Sequence, residues 1–197
     1  MNNNCHRVWS FNKDFVNDWG IVPNVFSKYD CDRIVQYGEE LGINPGTVGH
    51  NSLDTDIRDS RVSWIGPIDG QTDWIFRRMQ DAFQEANKTM FNFDIWGFME
   101  AFQFTRYDAP AGKYNQHIDR RDGSEFIRKL SGSVLLTDPD EFEGGDLTIT
   151  TGDQPTKMEK RQGALVVFPS FVLHAVHPVT KGTRHSLVAW ASGKPFR

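Results

Sequence analysis

The order of periodicities along this chain predicts a β-sandwich or jelly roll buttressed by two helices. Three observations carry that fold class. Two stretches in the first half repeat apolar residues every three or four positions. From Phe91 onward the period changes to two. The second half then breaks into short strand-like runs punctuated by Gly, Pro, Asp and Lys. Helices first and strands afterwards do not suit an alternating α/β sheet.

Taken in order, residues 8–11 alternate and read as an edge strand. Residues 21–26 form a second extended piece, which Pro23 keeps out of a central position. Ser27 is a helix N-cap with Asp30 placed to serve the first turn. Cys31, Ile34, Val35, Gly38 and Leu41 make that helix's apolar stripe, and Gly42 ends it. Residues 44–59 are polar and rich in Gly, Asn and Asp, a loop. Residues 61–65 are a short strand closed by Gly66 and Pro67. Thr72 or Asp73 caps the second helix, whose stripe of Ile75, Met79, Ala82, Phe83, Ala86 and Met90 belongs to the core. Between 93 and 105 both faces of one extended run are largely apolar, as in a strand covered on both sides. Residues 107–113 turn the chain, and strands are expected at 130–137, 147–151, 164–168, 172–176 and 184–190. A single domain over 1–197 is expected, with helical support over about 1–92 and a β core over about 93–197.

Composition narrows the function classes. A hydrophobic fraction of 38%, with 13% aromatic residues, excludes a disordered chain. No apolar run is long enough to span a bilayer, and the first residues carry no charged-then-apolar leader. Cys5 and Cys31 make no disulfide framework, so a reducing, cytoplasmic setting is expected. The net charge of −4 argues against general affinity for nucleic-acid phosphate, leaving only a local basic groove open.

The chemistry centres on Tyr114-Asn115-Gln116-His117-Ile118-Asp119. On an extended strand, residues two apart face the same way, so His117 and Asp119 converge as two ligands for a divalent metal. Two histidines and one carboxylate would form a facial triad with open positions. The third ligand must come from His6, His50, His174, His177 or His185. His6 and His50 precede the strand-rich half, and His185 alternates with Arg184. His174 and His177 lie three apart and face opposite ways, and spacing alone does not choose between them. Arg184, ten residues after His174, supplies a cation on a further strand.

The order H-x-D, H, R-x-S on successive strand-like segments resembles the 2-oxoglutarate- and Fe(II)-dependent oxygenases, in particular their prolyl-4-hydroxylase-like branch. The resemblance covers about residues 102–190 and, more weakly, the chain from Val25. Glu143-Gly144-Gly145-Asp146-Leu147 is similar to that branch's E-G-G-x-L strand. Leu165-Val166-Val167-Phe168-Pro169-Ser170 leads into His174, and Trp190 closes the arginine strand. The resemblance implies a double-stranded β-helix. It selects His174, because His174-Ala175-Val176-His177-Pro178 matches H-x-V-x-P. It implies iron held by His117, Asp119 and His174, and the far carboxylate of 2-oxoglutarate held by Arg184. A guanidinium forks onto a carboxylate and stays charged when buried. Ser186, Tyr107 and Trp190 are implied beside the cosubstrate, with Tyr114 as a second pocket tyrosine. One departure is Leu135, on a strand where some members carry a tyrosine that hydrogen-bonds the cosubstrate; Ser186 is placed to compensate.

The implied reaction hydroxylates a substrate with dioxygen while 2-oxoglutarate is decarboxylated to succinate, with ascorbate as a candidate reductant. Proline in a peptide or protein is the leading substrate. Residues 44–59 are placed as a lid. Arg61 and Trp64 form a strand edge for a peptide, and Arg120 with Arg121 lies near the mouth. An oxygenase acting on a nucleobase or small molecule is the runner-up. A zinc hydrolase or a non-catalytic β-sandwich binding module are the other readings. Arg184-x-Ser186 and the lack of an evident general base count against the hydrolase.

Overall fold

The computed structural model describes residues 16–48, 52–119 and 127–194. The strand expected at 8–11, together with Cys5, His6, His50, Arg120 and Arg121, lies outside the described residues.

Local chemistry sets the helices. Helix α1 spans Lys28–Glu40, and its capping box is complete. The Ser27 hydroxyl accepts the Asp30 N–H at 3.2 Å, and the Asp30 carboxylate accepts the Ser27 N–H at 2.9 Å. Arg78 from the second helix donates to the same carboxylate. Gly38 lets α1 lie against the sheet, since a Cβ there would meet the Phe104 ring at 2.4 Å. Helix α2 spans Asp73–Ala86. Thr72 makes no capping bond; its hydroxyl donates to the Gly66 carbonyl and accepts from the Ile68 N–H, closing the preceding turn. The apolar stripe expected to reach Met90 passes into a π-helical turn at Asn87–Phe91, which ends on Asn92 at φ +53.

The strands are β1 Gly20–Val22, β2 Asn44–Pro45, β3 Arg58–Asp59, β4 Arg61–Ile65, β5 Ile95–Phe98, β6 Phe102–Asp108 and β7 Lys113–His117. They continue as β8 Ile127–Leu135, β9 Phe142–Gly144, β10 Leu147–Thr150, β11 Thr156–Lys157, β12 Leu165–Pro169, β13 Leu173–Val176 and β14 Val179–Gly193. The larger sheet runs β1-β12-β8-β14-β6-β4-β2, with β5 and β9 also pairing β14. The smaller runs β11-β10-β13-β7-β3. Every strand pair is antiparallel. The molecule is mainly β with two supporting helices, as the order of periodicities predicts.

Side-chain parity divides the larger sheet. Phe102 and Phe104, Leu130 and Val134, Leu165 and Val167, and Leu187 and Ala189 pack with Ile34, Ile75, Met79 and Phe83 of the helices. Their neighbours Tyr107, Val166 and Phe168 face the smaller sheet and join Leu147, Ile149, Met158, Val172 and Val176. A sheet covered on both faces explains why these strands read as apolar throughout.

Three elements differ from the sequence reading. Residues 44–59 contain β2 and β3, which are only two residues each and carry no periodic signal. The run expected across 93–105 is broken between Phe98 and Phe102, where Glu100 turns to pair with Arg128. Strand β14 is far longer than residues 184–190, because it serves β9, β8, β6 and β5 along its length.

The helix cap gives a stability test. Burial opposes ionisation of Asp30, but the Ser27 hydroxyl and amide and the Arg78 guanidinium outweigh it and hold the carboxyl below its usual range. A depressed folded pKa contributes stability above the unfolded value of about 4 and loses it as pH falls through the folded value. Asp30→Asn is therefore expected to cost roughly 1–2 kcal/mol at neutral pH. The gap should close on acidification, which denaturant unfolding of both proteins across pH will measure.

Candidate metal centre

The site is built on one strand pair of the smaller sheet. His117 at the end of β7 stands directly opposite His174 in β13. The register shifts between His174 and Val176, whose partner is Tyr114, so β7 carries an extra residue there. The bulge turns Tyr114 and His117, three apart, to the same interior, where their rings stack at 3.5 Å. Asp119 follows just beyond the strand, anchored by its N–H to the Ser170 carbonyl at 2.9 Å. Arg128 also donates to the Asp119 carbonyl at 3.3 Å.

Each imidazole is oriented by its own strand. His117 Nδ1 lies 2.8 Å from the Asn115 carbonyl, and His174 Nδ1 lies 3.0 Å from the Val172 carbonyl. A carbonyl only accepts, so both Nδ1 atoms carry the proton and both Nε2 atoms present a lone pair. Those Nε2 atoms lie 3.7 Å and 3.5 Å from the Asp119 carboxylate oxygens. One ligand atom from each residue lies within 4.8 Å of the other two. Burial, reinforced by neighbouring His174, pushes His117 down to about 4. Burial opposes ionisation of Asp119, yet neighbouring His174 and His117 keep the carboxyl below its usual range. Two imidazoles and one carboxylate fit a ferrous facial triad, and among the described residues no thiolate accompanies them.

The cluster opens into a cavity of about 280 Å³ between the sheets. Tyr107, Ser186, Trp190 and Trp64 all reach it, from the larger sheet. Arg184 borders a second cavity of about 20 Å³, which shares Ser133 and Leu147 with the first and is also lined by Leu135. The Arg184 guanidinium is buried 5.4 Å from the centre of the Tyr107 ring, and its Nη1 has no hydrogen-bond partner. That orphaned cation fits a carboxylate ligand. Gly145, at φ +62, makes room for it, since a Cβ there would lie 2.9 Å from Arg184 Cδ. Burial pushes the Tyr107 phenol up, so it stays a donor.

Other expected residues fall elsewhere. His177 is exposed, with Nε2 3.2 Å from the Thr148 hydroxyl. His185 faces away, between Thr137 and Glu39. Arg61 is exposed beside Asp59, Arg106 and Asp108 and does not line the metal cavity. Arg58, Thr47, Gln103 and Arg128 do line it and were not singled out from sequence. Arg58 belongs to a two-residue strand, which leaves no periodic signal to find it by.

The family described as the 2OG-Fe(II) oxygenase superfamily matches residues 102–192, the stretch that carries the triad and Arg184. That match covers just under half of the chain. It is 40% identical over 82 residues to a PKHD-type hydroxylase of Prochlorococcus marinus, covering 42% of this chain and 37% of that one. It is 37% identical over 89 residues to one from Nitrosomonas europaea, covering 41% and 38%. The matches thus span well under half the length of these curated relatives. Among solved structures, a Pseudomonas putida prolyl-4-hydroxylase aligns with a TM-score of 0.70 at 23% identity, over 91% of this chain and 94% of that one. A Trichoplax adhaerens prolyl hydroxylase in complex with a hypoxia inducible factor peptide aligns at 0.74 and 18% identity, over 90% and 84%. These likenesses establish the double-stranded β-helix. The match over residues 102–192 implies Fe(II) and 2-oxoglutarate at the site.

The ligand assignment has a direct test. Asp119→Ala and His174→Ala are each expected to abolish stoichiometric iron binding by anaerobically purified protein, whereas His177→Ala should retain it. Metal analysis of the three variants decides this, and the opposite pattern for the two histidines would overturn the assignment.

Proposed function

We propose that this chain is a 2-oxoglutarate-dependent Fe(II) oxygenase that hydroxylates its substrate, with proline in a peptide or protein as the leading target. The observation that carries the reading is the pairing of the triad with a buried Arg184 whose Nη1 has no hydrogen-bond partner, at the edge of the same interior. His117, Asp119 and His174 would hold iron, and Arg184 would hold the far carboxylate of 2-oxoglutarate. Bound there, iron and cosubstrate would supply the redox chemistry, with dioxygen consumed, 2-oxoglutarate converted to succinate and carbon dioxide, and one oxygen atom passed to the substrate.

The chain's own residues do the rest. The two Nδ1–H bonds to Asn115 and Val172 hold both imidazoles in the ligating tautomer before any metal arrives. Asp119 is positioned through its backbone at both its N–H and its carbonyl. Arg184 supplies charge and direction for a dicarboxylate. Leu135 offers no hydrogen bond beside it, so the protonated Tyr107 phenol and the Ser186 hydroxyl are the donors at that end. Leu147, Phe168, Val176 and Val188 line the remaining wall and exclude water.

Support for a peptidyl-proline substrate comes from the mouth. Trp64 lines the cavity yet stays 49% exposed, and its ring lies 6.2 Å from that of Trp190, an aromatic wall suited to a pyrrolidine ring. Thr47 and Arg58 bring the 44–59 segment to the same cavity. The named relatives are PKHD-type hydroxylases, and the solved neighbours are prolyl hydroxylases.

Two measurements test this. Arg184→Leu should leave iron binding nearly intact while weakening 2-oxoglutarate by about two to four orders of magnitude, since breaking a buried charged pair costs about 3–5 kcal/mol. Titrating 2-oxoglutarate anaerobically into the Fe(II)-loaded proteins and following the charge-transfer absorption reads that loss; equal affinities would place the anchor elsewhere. For the substrate, proline-rich peptides, free proline and methylated oligonucleotides are incubated with enzyme, iron and 2-oxoglutarate. Mass spectrometry is expected to find the mass of one added oxygen on the peptides, and less of it with Trp64→Ala. Turnover confined to free proline or to the oligonucleotide would sink the peptide reading.

A further inference from the structure

Among the described residues three arginines reach the interior around the metal cluster, and their charges are balanced differently. Arg128 is neutralised, because its guanidinium forks onto Glu100 with both contacts at 2.6 Å and lies 3.7 Å over the Trp190 ring. Arg184 is matched by the far carboxylate of the cosubstrate under the function proposed above. Among the described residues Arg58 has no such counter-charge. It is 7% exposed, and among the described residues its polar contacts are neutral. Nε donates to the Ser60 hydroxyl at 2.8 Å and Nη1 to the Thr47 carbonyl at 3.1 Å, while Nη2 is buried with no acceptor.

The guanidinium is held in place. Its carbon lies 4.6 Å from the centre of the Tyr114 ring, the same ring that stacks on His117. Gly46 closes over it, since a Cβ there would lie 2.6 Å from Arg58 Nε. Both Arg58 and Thr47 line the metal cavity. Arginine does not discharge by losing a proton, and an uncompensated buried charge is costly. Setting Asp119 and a dicarboxylate cosubstrate against a divalent metal and Arg184 cancels their charges, which leaves the cation at Arg58 over.

We propose that Arg58, clamped by Ser60, Thr47 and Gly46, is a carboxylate-binding subsite on the wall of the metal cavity. It selects substrates that carry a carboxylate close to the carbon to be oxidised, either an acidic side chain in a peptide or a free α-carboxyl group. The free Nη2 makes one hydrogen bond to one oxygen, and the charge supplies the preference for an anion over an amide. The charge balance rests on the proposed function; the test does not rest on turnover.

The probes are matched pairs that differ only in a carboxylate or its amide. N-acetylproline is set against N-acetylprolinamide, and N-acetyl-prolyl-glutamate amide against its glutamine counterpart. Binding to the Fe(II)- and 2-oxoglutarate-loaded protein is followed anaerobically by the fluorescence of Trp64 and Trp190, both on the cavity wall. At least one acid is expected to bind about ten- to a hundredfold tighter than its amide. The first pair reports an α-carboxyl source and the second a side-chain source. In Arg58→Gln that preference should vanish while the charge-transfer absorption persists, and Arg58→Lys should retain part of it. Equal binding of acid and amide by the wild type, an acid preference that survives in Arg58→Gln, or no acid bound at tens of millimolar overturns the proposal. Failure of the protein to take up iron and 2-oxoglutarate would instead count against the function proposed above. The paired titrations on unloaded wild type and Arg58→Gln would then still decide the role of Arg58.

Discussion

The register between β7 and β13 is the constraint on which the site depends. His117 stands opposite His174, and each ring is tied to the backbone carbonyl two residues before it. A slip of one residue would send one ring to the other face and dissolve the cluster. The bulge in β7 then adds what a regular strand does not allow. It brings Tyr114 to the same side as His117, so that an aromatic plate backs that imidazole. The partner strands β10 and β3 lock this pair from both sides, through Leu147–Thr150 on one and Arg58–Asp59 on the other.

A polar interior of this kind is costly in a β-sandwich and has to be supported from outside. The larger sheet provides that support by splitting its side chains by parity. One set packs on α1 and α2 and forms an apolar core with fully buried Phe83, Phe102, Phe104 and Leu130. The other set faces the smaller sheet, where Ile149 and Val179 fill the space away from the cavity. The helices contribute no group to the cavity wall; they cover the sheet that does. Arg184, Ser186, Val188 and Trp190 illustrate the division, since they alternate along β14 with Leu187, Ala189 and Ala191. Backbone without a side chain matters as much at two places. Gly145 clears the path of Arg184, and Gly46 lies flat on Arg58.

Much of this was legible from residue order alone. A period of three to four followed by a period of two gave two helices and then strands, and Ser27 with Asp30 marked the start of α1 to the residue. The H-x-D spacing and the Arg184-x-Ser186 alternation are local, because neighbours two apart on a strand share a face wherever the strand lies. The choice of His174 over His177 came from resemblance, and the structure gives it a physical form, since His174 is buried opposite His117 and His177 is exposed. Gly144 and Gly145 of the E-G-G-x-L segment both have positive φ, a backbone conformation that glycine adopts without strain.

What only the tertiary structure decided is everything that depends on which strands become neighbours. Arg58 and Thr47 come from a segment without periodicity, and they enter the cavity only because β3 pairs with β7. Arg61, three residues from Arg58 and an equally plausible contact on paper, belongs to the other sheet and faces solvent. Glu100 lies in the break between β5 and β6 and neutralises an arginine 28 residues away in the chain. Local sequence sets the direction of a side chain relative to its own strand. It does not set the register, bulges and pairing of strands distant in the chain, and those determine which charges end up facing one another.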